Sequence, residues 1–226
     1  AAKAVSTYGE KFLERRWSDG KFHYEIRQTV SSGRPSISKP NVNQIKNGPL
    51  RRVIVPPPGM AMVVADYSQM ELRLLAELSR DPVMIRTFQD GIDIHSYTAS
   101  QVFSVTEPTK DQRKAAKAVN FGIAYGMGAK TLQENMIEEE VFLPLEECQR
   151  VIDGWKEMFR VGWEALESWR AHGVEHGWIA TAFGRKRWFP RDADPTSVQR
   201  EAGNHVIQGT NADITKIAMA IAQRDL

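Results

Sequence analysis

The sequence predicts a helix-rich α+β fold, and three observations support this prediction. Apolar residues recur at helical spacing over most of residues 70–226. Strand-like runs are few and short: residues 22–30 alternate between apolar and polar, and residues 60–65 form a continuous apolar run. Residues 31–58, between these runs, are rich in Ser, Gly, Pro and Asn. We therefore expect strands mainly before residue 70 and helices after it.

Composition limits the class of protein. A chain of 226 residues with 42% hydrophobic and 26% charged residues is typical of a globular protein with one core or two small ones. The net charge is only +2, so affinity for nucleic acid would have to come from a local basic patch. Cys148 is the sole cysteine, which excludes an internal disulfide and favours a reducing compartment.

Hydropathy and the start of the chain bear on location. No apolar run approaches the length of a membrane span, and no signal-peptide pattern opens the chain. We therefore expect a protein that is not secreted and has no membrane partner. The chain begins with Ala-Ala-Lys and not with Met, so we expect a processed product or a piece of something longer.

The first part of the chain combines a predicted helix with a long loop. Residues 1–17 carry apolar side chains at helical spacing. The loop of residues 31–58 is long for a compact domain, and such loops are usually functional or disordered. A polar linker explains its composition equally well. Its hydrogen-bond donors could reach phosphates or base edges: Arg34, Lys39, Asn41, Asn43, Gln44 and Lys46.

The second part is predicted to be mostly helical. A segment at residues 93–103 includes His95, and a strand and turn are expected at residues 179–184. Residues 196–226 read as a long helical region that is interrupted near Gln208 and Gly209. Three tryptophans are expected to serve packing: Trp155, Trp163 and Trp169. Further helices are predicted at residues 70–78, 82–89, 131–139, 145–158 and 161–172.

The central stretch, residues 113–125, is also a predicted helix, since it is rich in Ala, lacks Pro and precedes two glycines. Four side chains recur along it: Arg113, Lys117, Phe121 and Tyr125. Four residues turn a helix by about 400°, so this row drifts about 40° per step and stays on one broad face. Cations bind phosphates and aromatic rings stack on bases, so the face suits a nucleotide. A solvated basic end joined to a buried aromatic end is the alternative.

Asp66 stands where the predicted apolar strand ends. A carboxylate there can hold a divalent cation, with the backbone carbonyl of Tyr67 as a neighbouring oxygen ligand. The alternative is a residue at the start of a helix. Ser68 and Glu71 fit a capping box, which would explain Glu71 without any function.

Two further patterns point weakly to other chemistry. His172, Glu175 and His176 match the H-x-x-E-H pattern of some zinc proteases, but glycines inside and after it favour a helix that ends at Gly177. Residues 126–131 resemble a phosphate loop, yet Ala129 separates the glycine from the lysine that a Walker A sequence needs next to it. The aspartates at residues 192 and 194 are expected to be solvated.

Two motifs in order identify a family. Asp66-Tyr-Ser-Gln-Met-Glu71-Leu-Arg73 and Arg113-x-x-x-Lys117-x-x-Asn120-Phe121-Gly122-x-x-Tyr125-Gly126 resemble motifs A and B of the family A, DNA polymerase I-like, DNA polymerases. Residues 41–44 depart from the Asn-Leu-Gln-Asn found in some members, so the roles of residues 43 and 44 stay open. Supporting matches are Gly33-Arg34, Pro40-Asn41, Asp93-Ile-His95, Phe183-Gly184-Arg185-Lys-Arg187 and Gln208-Gly-Thr-x-Ala-Asp213.

The resemblance implies a role for each matched residue. Asp66 would hold two Mg²⁺ ions, one of them with the Tyr67 carbonyl. Glu71 would fill the space that a ribose 2′-hydroxyl needs, which selects deoxynucleotides. The implied catalytic residues are Asp66, Lys117, Arg113 and Tyr125. The implied nucleotide-binding residues are Gln69, Glu71, His95, Arg113, Lys117, Phe121 and Tyr125. The implied contacts to primer–template DNA are Arg34, Asn41, Arg200 and Gln208.

The resemblance also predicts the architecture and a gap in it. It implies the fingers and part of the palm of a right-hand polymerase: N-terminal palm with a thumb remnant at residues 1–95, fingers at 96–190 and a palm return helix at 191–226. Motif C, a His-Asp-Glu hairpin with the second metal-binding carboxylate, does not occur. We therefore expect template-directed DNA synthesis from dNTPs only with a C-terminal palm piece in cis or in trans. The alternative is a catalytically inactive fragment that binds DNA or nucleotide.

Overall fold

The computed structural model describes residues 21, 23–42, 45, 48, 52 and 54–225. The chain divides into two compact units, Ala1–Ser68 and Gln69–Leu226. The helix predicted at residues 1–17, and the predicted donors Asn43, Gln44 and Lys46, lie outside the described residues.

The described part of the N-terminal unit contains a small antiparallel hairpin. Strands β1 (Glu25–Arg27) and β2 (Ser36–Ser38) pair with Ile26 opposite Ile37. An ion pair spans the hairpin, with Lys39 Nζ 2.9 Å from Glu25 Oε1. The strand predicted at residues 22–30 is thus confirmed over its middle residues only.

The buried strand predicted at residues 60–65 is wrong. These residues have no regular secondary structure, and Met60 is 69% and Val63 81% exposed. A strand buried on both faces needs a neighbour to satisfy its backbone and cover its side chains. Among the described strands, none pairs with this run.

The second unit is built from helices with one further hairpin, so the helix-rich α+β class is confirmed. Its helices before the centre are α1 (Met70–Ser79), α2 (Pro82–Gln89), α3 (Ile94–Val102) and α4 (Lys110–Gly122), and a 3₁₀ turn (Ile123–Tyr125) continues α4. The later elements are α5 (Ala129–Glu138), α6 (Leu145–Met158), α7 (Arg160–His176), β3 (Trp178–Ala180), β4 (Lys186–Trp188) and α8 (Pro195–Asp225). The predicted bounds of α2 and α6 are matched to the residue.

Local sequence explains where several helices begin and end. Asp81 caps α2, because its carboxylate accepts from the backbone N–H groups of the second and third helical residues. Thr109 and Gln112 form a reciprocal capping box at the start of α4. Helix α7 ends at Gly177, as predicted, in the left-handed conformation (φ 71°) that glycine adopts without strain.

The start of α1 differs from the expected capping box. The N-cap is Gln69, in a left-handed conformation, and its side chain does not cap the helix. The interpretation of Ser68 and Glu71 as a capping pair is therefore wrong. Glu71 lies in the first turn of α1, where a carboxylate favours the helix dipole.

Helix α4 lies at the centre of the core. Ala115, Ala116 and Val119 on its inner face are fully buried. They face a cluster that α1, α3, α5 and α6 complete, including the fully buried Trp155 on α6 and Phe159 just before α7. The small alanines let neighbouring helices approach α4 closely, and its outer face is left to the solvent.

Helix α8 runs without a break, which corrects the interruption predicted near Gln208 and Gly209. A Cβ atom at Gly209 would lie 2.6 Å from Thr181 Cγ2, and one at Gly173 would meet the side chain of Ala202. Both glycines are thus required by close packing and not by a turn. None of the described helices is long and apolar enough to cross a membrane.

Candidate functional site

The face predicted on the central helix is present, but two elements carry it. Arg113 and Lys117 lie on the exposed side of α4, and Phe121 is half-buried near its end. Tyr125 is not on α4; it lies in the 3₁₀ turn and is 38% exposed. Gly126, with φ 74°, ends this turn. The order of cations followed by aromatics is therefore retained along a shorter helix than expected.

Arg113 is held by the N-terminus of α3. Its Nε atom donates to Asp93 Oδ2 at 2.9 Å and to Ser96 Oγ at 3.2 Å. Asp93 also caps α3 through the Ser96 backbone N–H. Burial opposes ionisation, but the hydrogen bonds from Ser96 and Arg113 and the Arg113 charge hold the pKa of Asp93 well below its usual range. The guanidinium is thus oriented before any ligand arrives.

Lys117 contrasts with Arg113. Within the described part of the chain, its ammonium group has no hydrogen-bond or ion-pair partner. Gln69 reaches the same carboxylate as Arg113, since its Nε2 donates to Asp93 Oδ1 at 3.2 Å. The predicted residues Gln69 and Arg113 are therefore brought together through Asp93, while Lys117 keeps an uncompensated positive charge.

His95 lies behind this charged row and is only 3% exposed. Its ring centroid is 5.4 Å from that of Phe121, and its Nδ1 is 3.0 Å from the amide nitrogen of Asn120. Burial lowers the pKa of His95; Asp93 raises it, and Arg113 and Lys117 lower it further. The imidazole is therefore neutral near pH 7.

Asn120 connects His95 to the core. Its Oδ1 accepts from the indole Nε1 of Trp155 at 2.7 Å, and its amide nitrogen lies 3.2 Å from Thr98 Oγ1. Asn120 and its partners Thr98 and Trp155 are each at most 1% exposed. Polar groups buried this deeply are stable only when they are paired.

Tyr125 links α1 and α8 by hydrogen bonds. Its hydroxyl donates to Glu71 Oε2 at 3.1 Å, and Gln208 on α8 donates to the same hydroxyl. Arg200, also on α8, packs its side chain against Gly126, 3.2 Å from where a Cβ would lie. Four predicted residues, Glu71, Tyr125, Arg200 and Gln208, are thus gathered at the end of α4.

A buried arginine supports the same turn. Arg170 on α7 donates from Nη2 to the Ile123 carbonyl at 2.8 Å, and from Nη1 to Glu167 at 2.6 Å. It therefore adds a second hydrogen bond to the Ile123 carbonyl, which also accepts from the Gly126 N–H at 3.1 Å. Sequence reasoning missed this residue, because an arginine on a helix is usually exposed and nothing in its spacing reveals a carbonyl 47 positions earlier.

The remaining predicted residues lie in the N-terminal unit. Asp66, Tyr67 and Arg34 are exposed there, and Asn41 is half-buried. In the part of the chain that the structure describes, no group of three or more His, Cys, Asp or Glu side chains is placed to hold a metal ion. Asp66 offers one carboxylate and Tyr67 one carbonyl, so the described donors fit a divalent cation only in part.

Two other residues were undervalued from the sequence. Asp93 begins the segment predicted at residues 93–103, and its spacing from Ser96 is that of an N-cap, which also indicates the start of a helix. Trp155 was expected to pack, which it does, but its indole N–H also serves Asn120. A buried tryptophan usually has a hydrogen-bond acceptor for its N–H, so a partner for Trp155 could have been expected from the sequence.

The chain is similar in sequence to a known protein family and to individual members of it. The model of DNA polymerase family A matches residues 1–226. The chain is 40% identical to the thermostable DNA polymerase I of Thermus aquaticus over 213 residues, and 38% identical to DNA polymerase I of Deinococcus radiodurans over 217 residues. Each alignment covers 88% of this chain, and 25% and 22% of the relatives.

A solved structure is also similar. The POL domain of Pol1 from M. smegmatis, in complex with DNA primer-template and dNTP, matches all of this chain and 42% of its own, with a TM-score of 0.82 and 31% identity. The chain spans about a quarter of the length of the full-length relatives above. The family match over the whole sequence, supported by both kinds of relative, leads to one conclusion: the chain belongs to DNA polymerase family A.

Proposed function

We propose that this chain is the nucleotide-binding part of a template-directed DNA polymerase that transfers nucleotides from dNTPs to a primer 3′-hydroxyl. The observation that carries the proposal is the face formed by α4 and the 3₁₀ turn after it. An oriented arginine, a lysine with no partner among the described residues and two aromatic rings follow one another there. Family membership supports it, and the M. smegmatis relative is described in complex with primer-template and dNTP.

The cationic end of this face would bind the triphosphate. Arg113 is already fixed by Asp93 and Ser96, so little conformational entropy is lost when it contacts an anion. Lys117 has no described partner to give up, so its charge is available for a phosphate oxygen. His95 lies between them and the core, and would add a neutral donor.

The aromatic end would bind the sugar and base. Phe121 is half-buried against His95, which leaves one side of the ring for a nucleotide. Tyr125 would lie beside the templating base. Its hydrogen bond holds Glu71 in place, so that this carboxylate would occupy the space of a ribose 2′-hydroxyl and favour deoxynucleotides.

The metal requirement concerns the N-terminal unit. Asp66 and the Tyr67 carbonyl would hold Mg²⁺, which supplies charge neutralisation and activation of the attacking hydroxyl when it is bound. The described residues alone do not complete such a site. In this proposal the second carboxylate, as motif C provides in the family, is supplied by a C-terminal palm piece in cis or in trans.

Primer–template DNA would contact Arg34 and Asn41 in the N-terminal unit, and Arg200 and Gln208 on α8. Side chains that read minor-groove acceptors shared by all correct base pairs can check geometry without reading sequence. In this proposal residues 1–95 belong to the palm, residues 96–190 are the fingers, and residues 191–226 return to the palm.

Binding of dATP with Mg²⁺ to the 226-residue chain, measured by calorimetric titration, tests the nucleotide role. We expect dATP to bind more tightly than dAMP. Lys117→Ala should weaken dATP binding about tenfold or more, because a hydrogen bond between charged groups contributes about 1.5–3 kcal/mol. Lys114→Ala is the matched control: it removes the same charge from α4, but Lys114 contacts Glu139. Equal losses in both variants would contradict the proposal.

The alternative function is a catalytically inactive fragment that binds DNA or nucleotide, and the incomplete metal site of the described residues is the reason to consider it. Primer extension distinguishes it from a polymerase. We would join this chain to the C-terminal part of the Thermus aquaticus relative and supply primer–template, dNTPs and Mg²⁺. Extension by the chimera, lost in Asp66→Ala, is expected. A folded chimera that binds dATP but never extends a primer would leave only a binding function.

A further inference from the structure

The hydrogen bonds around Asn120 determine which nitrogen of His95 carries a proton. The starting point is Trp155, whose indole N–H can donate but not accept. It lies 2.7 Å from one end of the Asn120 amide, so that end must be the carbonyl oxygen. The other end is therefore the NH₂ group, which has two hydrogens to donate.

Both hydrogens of this NH₂ group have acceptors. Thr98 Oγ1 donates its own hydrogen to the Ile94 carbonyl at 2.7 Å, so it can accept from Asn120 at 3.2 Å. The second hydrogen points to His95 Nδ1 at 3.0 Å. His95 Nδ1 must then present a lone pair, and it cannot carry a proton.

We propose that Trp155 and Asn120 are positioning residues that hold His95 as the neutral Nε2–H tautomer, so that it offers one N–H donor to the triphosphate. The tautomer follows from the protein alone, whereas its use rests on the proposed nucleotide-binding function. Neither Trp155 nor Asn120 needs to touch the ligand for this role.

The charges that act on His95 are consistent with a neutral ring. Burial and the positive charges of Arg113 and Lys117 lower its pKa, and Asp93 alone opposes them. Asp93 forms an ion pair with Arg113, so its negative charge is partly neutralised and stabilises a charged His95 ring less. A third cation beside Arg113 and Lys117 would be costly without ligand.

The opposite tautomer would harm binding. With the proton on Nδ1, His95 would present the Nε2 lone pair, and a lone pair repels a phosphate oxygen. If His95 exchanged between tautomers, only part of the population could donate to the triphosphate. The apparent affinity for the nucleotide would then be lower. Fixing the proton through a buried network removes this loss before the nucleotide arrives.

The test is the nitrogen-15 NMR spectrum of the His95 ring in the 226-residue chain, without nucleotide, near pH 7.5. Long-range couplings to the ring hydrogens distinguish a protonated from an unprotonated nitrogen, and a His95→Gln spectrum assigns the signals. We expect Nε2 protonated and Nδ1 not. The reverse pattern, or an equal mixture, would overturn the inference, whatever the chain binds.

Asn120→Asp should reverse the pattern. A carboxylate can still accept from Trp155 but can only accept from His95, so the proton should move to Nδ1 or the ring should become charged. We expect dATP binding to weaken about tenfold if Nδ1 alone is protonated. An unchanged His95 spectrum in folded Asn120→Asp protein would show that Asn120 does not fix the tautomer.

Trp155→Phe keeps the test open if Asn120→Asp fails to fold. It removes the indole N–H together with part of the ring system, so the amide can turn over and a mixture of tautomers should appear. Trp169→Phe is the control, because Trp169 makes no hydrogen bond to Asn120; it should leave the spectrum unchanged. If the wild-type tautomer is as expected and dATP does not bind, the proposed function fails and the positioning role stands.

Discussion

His95 and His205 are both almost fully buried, at 3% and 1% exposure, but their ring nitrogens have different surroundings. His95 lies in a network in which Asn120 pairs with His95, Thr98 and Trp155. Neither ring nitrogen of His205, on α8, has a hydrogen-bond partner among the described residues.

The side chain of Arg185, close to His205, makes hydrogen bonds to other groups. Arg185 donates from Nε to Asp213 Oδ1 at 2.8 Å and from Nη2 to the Gly209 carbonyl at 3.1 Å. Burial and the charges of Arg185 and Arg187 lower the pKa of His205 to about 4, against small opposing effects of the Arg185 backbone and Asp213. His205 is thus kept neutral by its environment alone.

The difference shows two ways to bury a histidine. Hydrogen bonds fix the orientation and tautomer of His95, which suits a residue next to the candidate site. His205 is held by packing, without a hydrogen bond to either ring nitrogen among the described residues. An unpaired buried polar group is destabilising, whereas a paired one is close to neutral. An apolar substitution should therefore raise the free energy of unfolding at His205 and lower it at His95.

The largest effect is expected from Asn120→Leu. It would leave the Trp155 N–H without an acceptor, and the His95 Nδ1 and Thr98 hydroxyl without a donor, all in the core. Unsatisfied buried groups cost about 1–3 kcal/mol each, so the free energy of unfolding should fall by about 4 kcal/mol. Urea denaturation measures this.

Asn135→Leu is the control for that substitution, because Asn135 is exposed on α5. Its effect should stay within about 0.5 kcal/mol. Similar losses in both variants would mean that the Asn120 network contributes little to stability.

The second expectation concerns pH. The folded pKa of His205, about 4, lies below the unfolded value of 6.5, so the unfolded chain binds a proton first as pH falls. The contribution of His205 to the free energy of unfolding should therefore be fully present above pH 6.5. It should decline toward pH 4, by up to about 3 kcal/mol. Urea denaturation at several pH values should show a shallower decline in His205→Leu than in the wild type. An unchanged slope would mean that His205 is not buried as a neutral ring.

The smallest expected effect compares the two histidines directly at pH 7.5. His205→Leu replaces an unpaired ring with an apolar side chain and should raise the free energy of unfolding by about 1 kcal/mol. His95→Leu breaks the bond to Asn120 and should lower it by about 2 kcal/mol. Thermal unfolding of both variants gives the order. Destabilisation by both would indicate that His205 also has a partner, such as a buried water molecule.

Much of the fold could be predicted from local sequence. Apolar periodicity placed α2 and α6 correctly, and the two motifs led to the family. The errors were at residues whose structure depends on distant partners. Residues 60–65 are apolar enough for a buried strand, but a strand also needs neighbours. Gly209 looks like a helix break, yet it lies within α8. A glycine is required there because Thr181 leaves no room for a side chain.

The sequence by itself determined the periodicity of the helices, the order of Arg113, Lys117, Phe121 and Tyr125, and the motifs that identify the family. These depend on residues a few positions apart, whose geometry a helix sets. Only the tertiary structure decided that Asp93 orients Arg113, that Glu71 and Gln208 meet at Tyr125, and that Trp155 directs the proton of His95. Such contacts join residues 20 to 83 positions apart, and only packing brings these together.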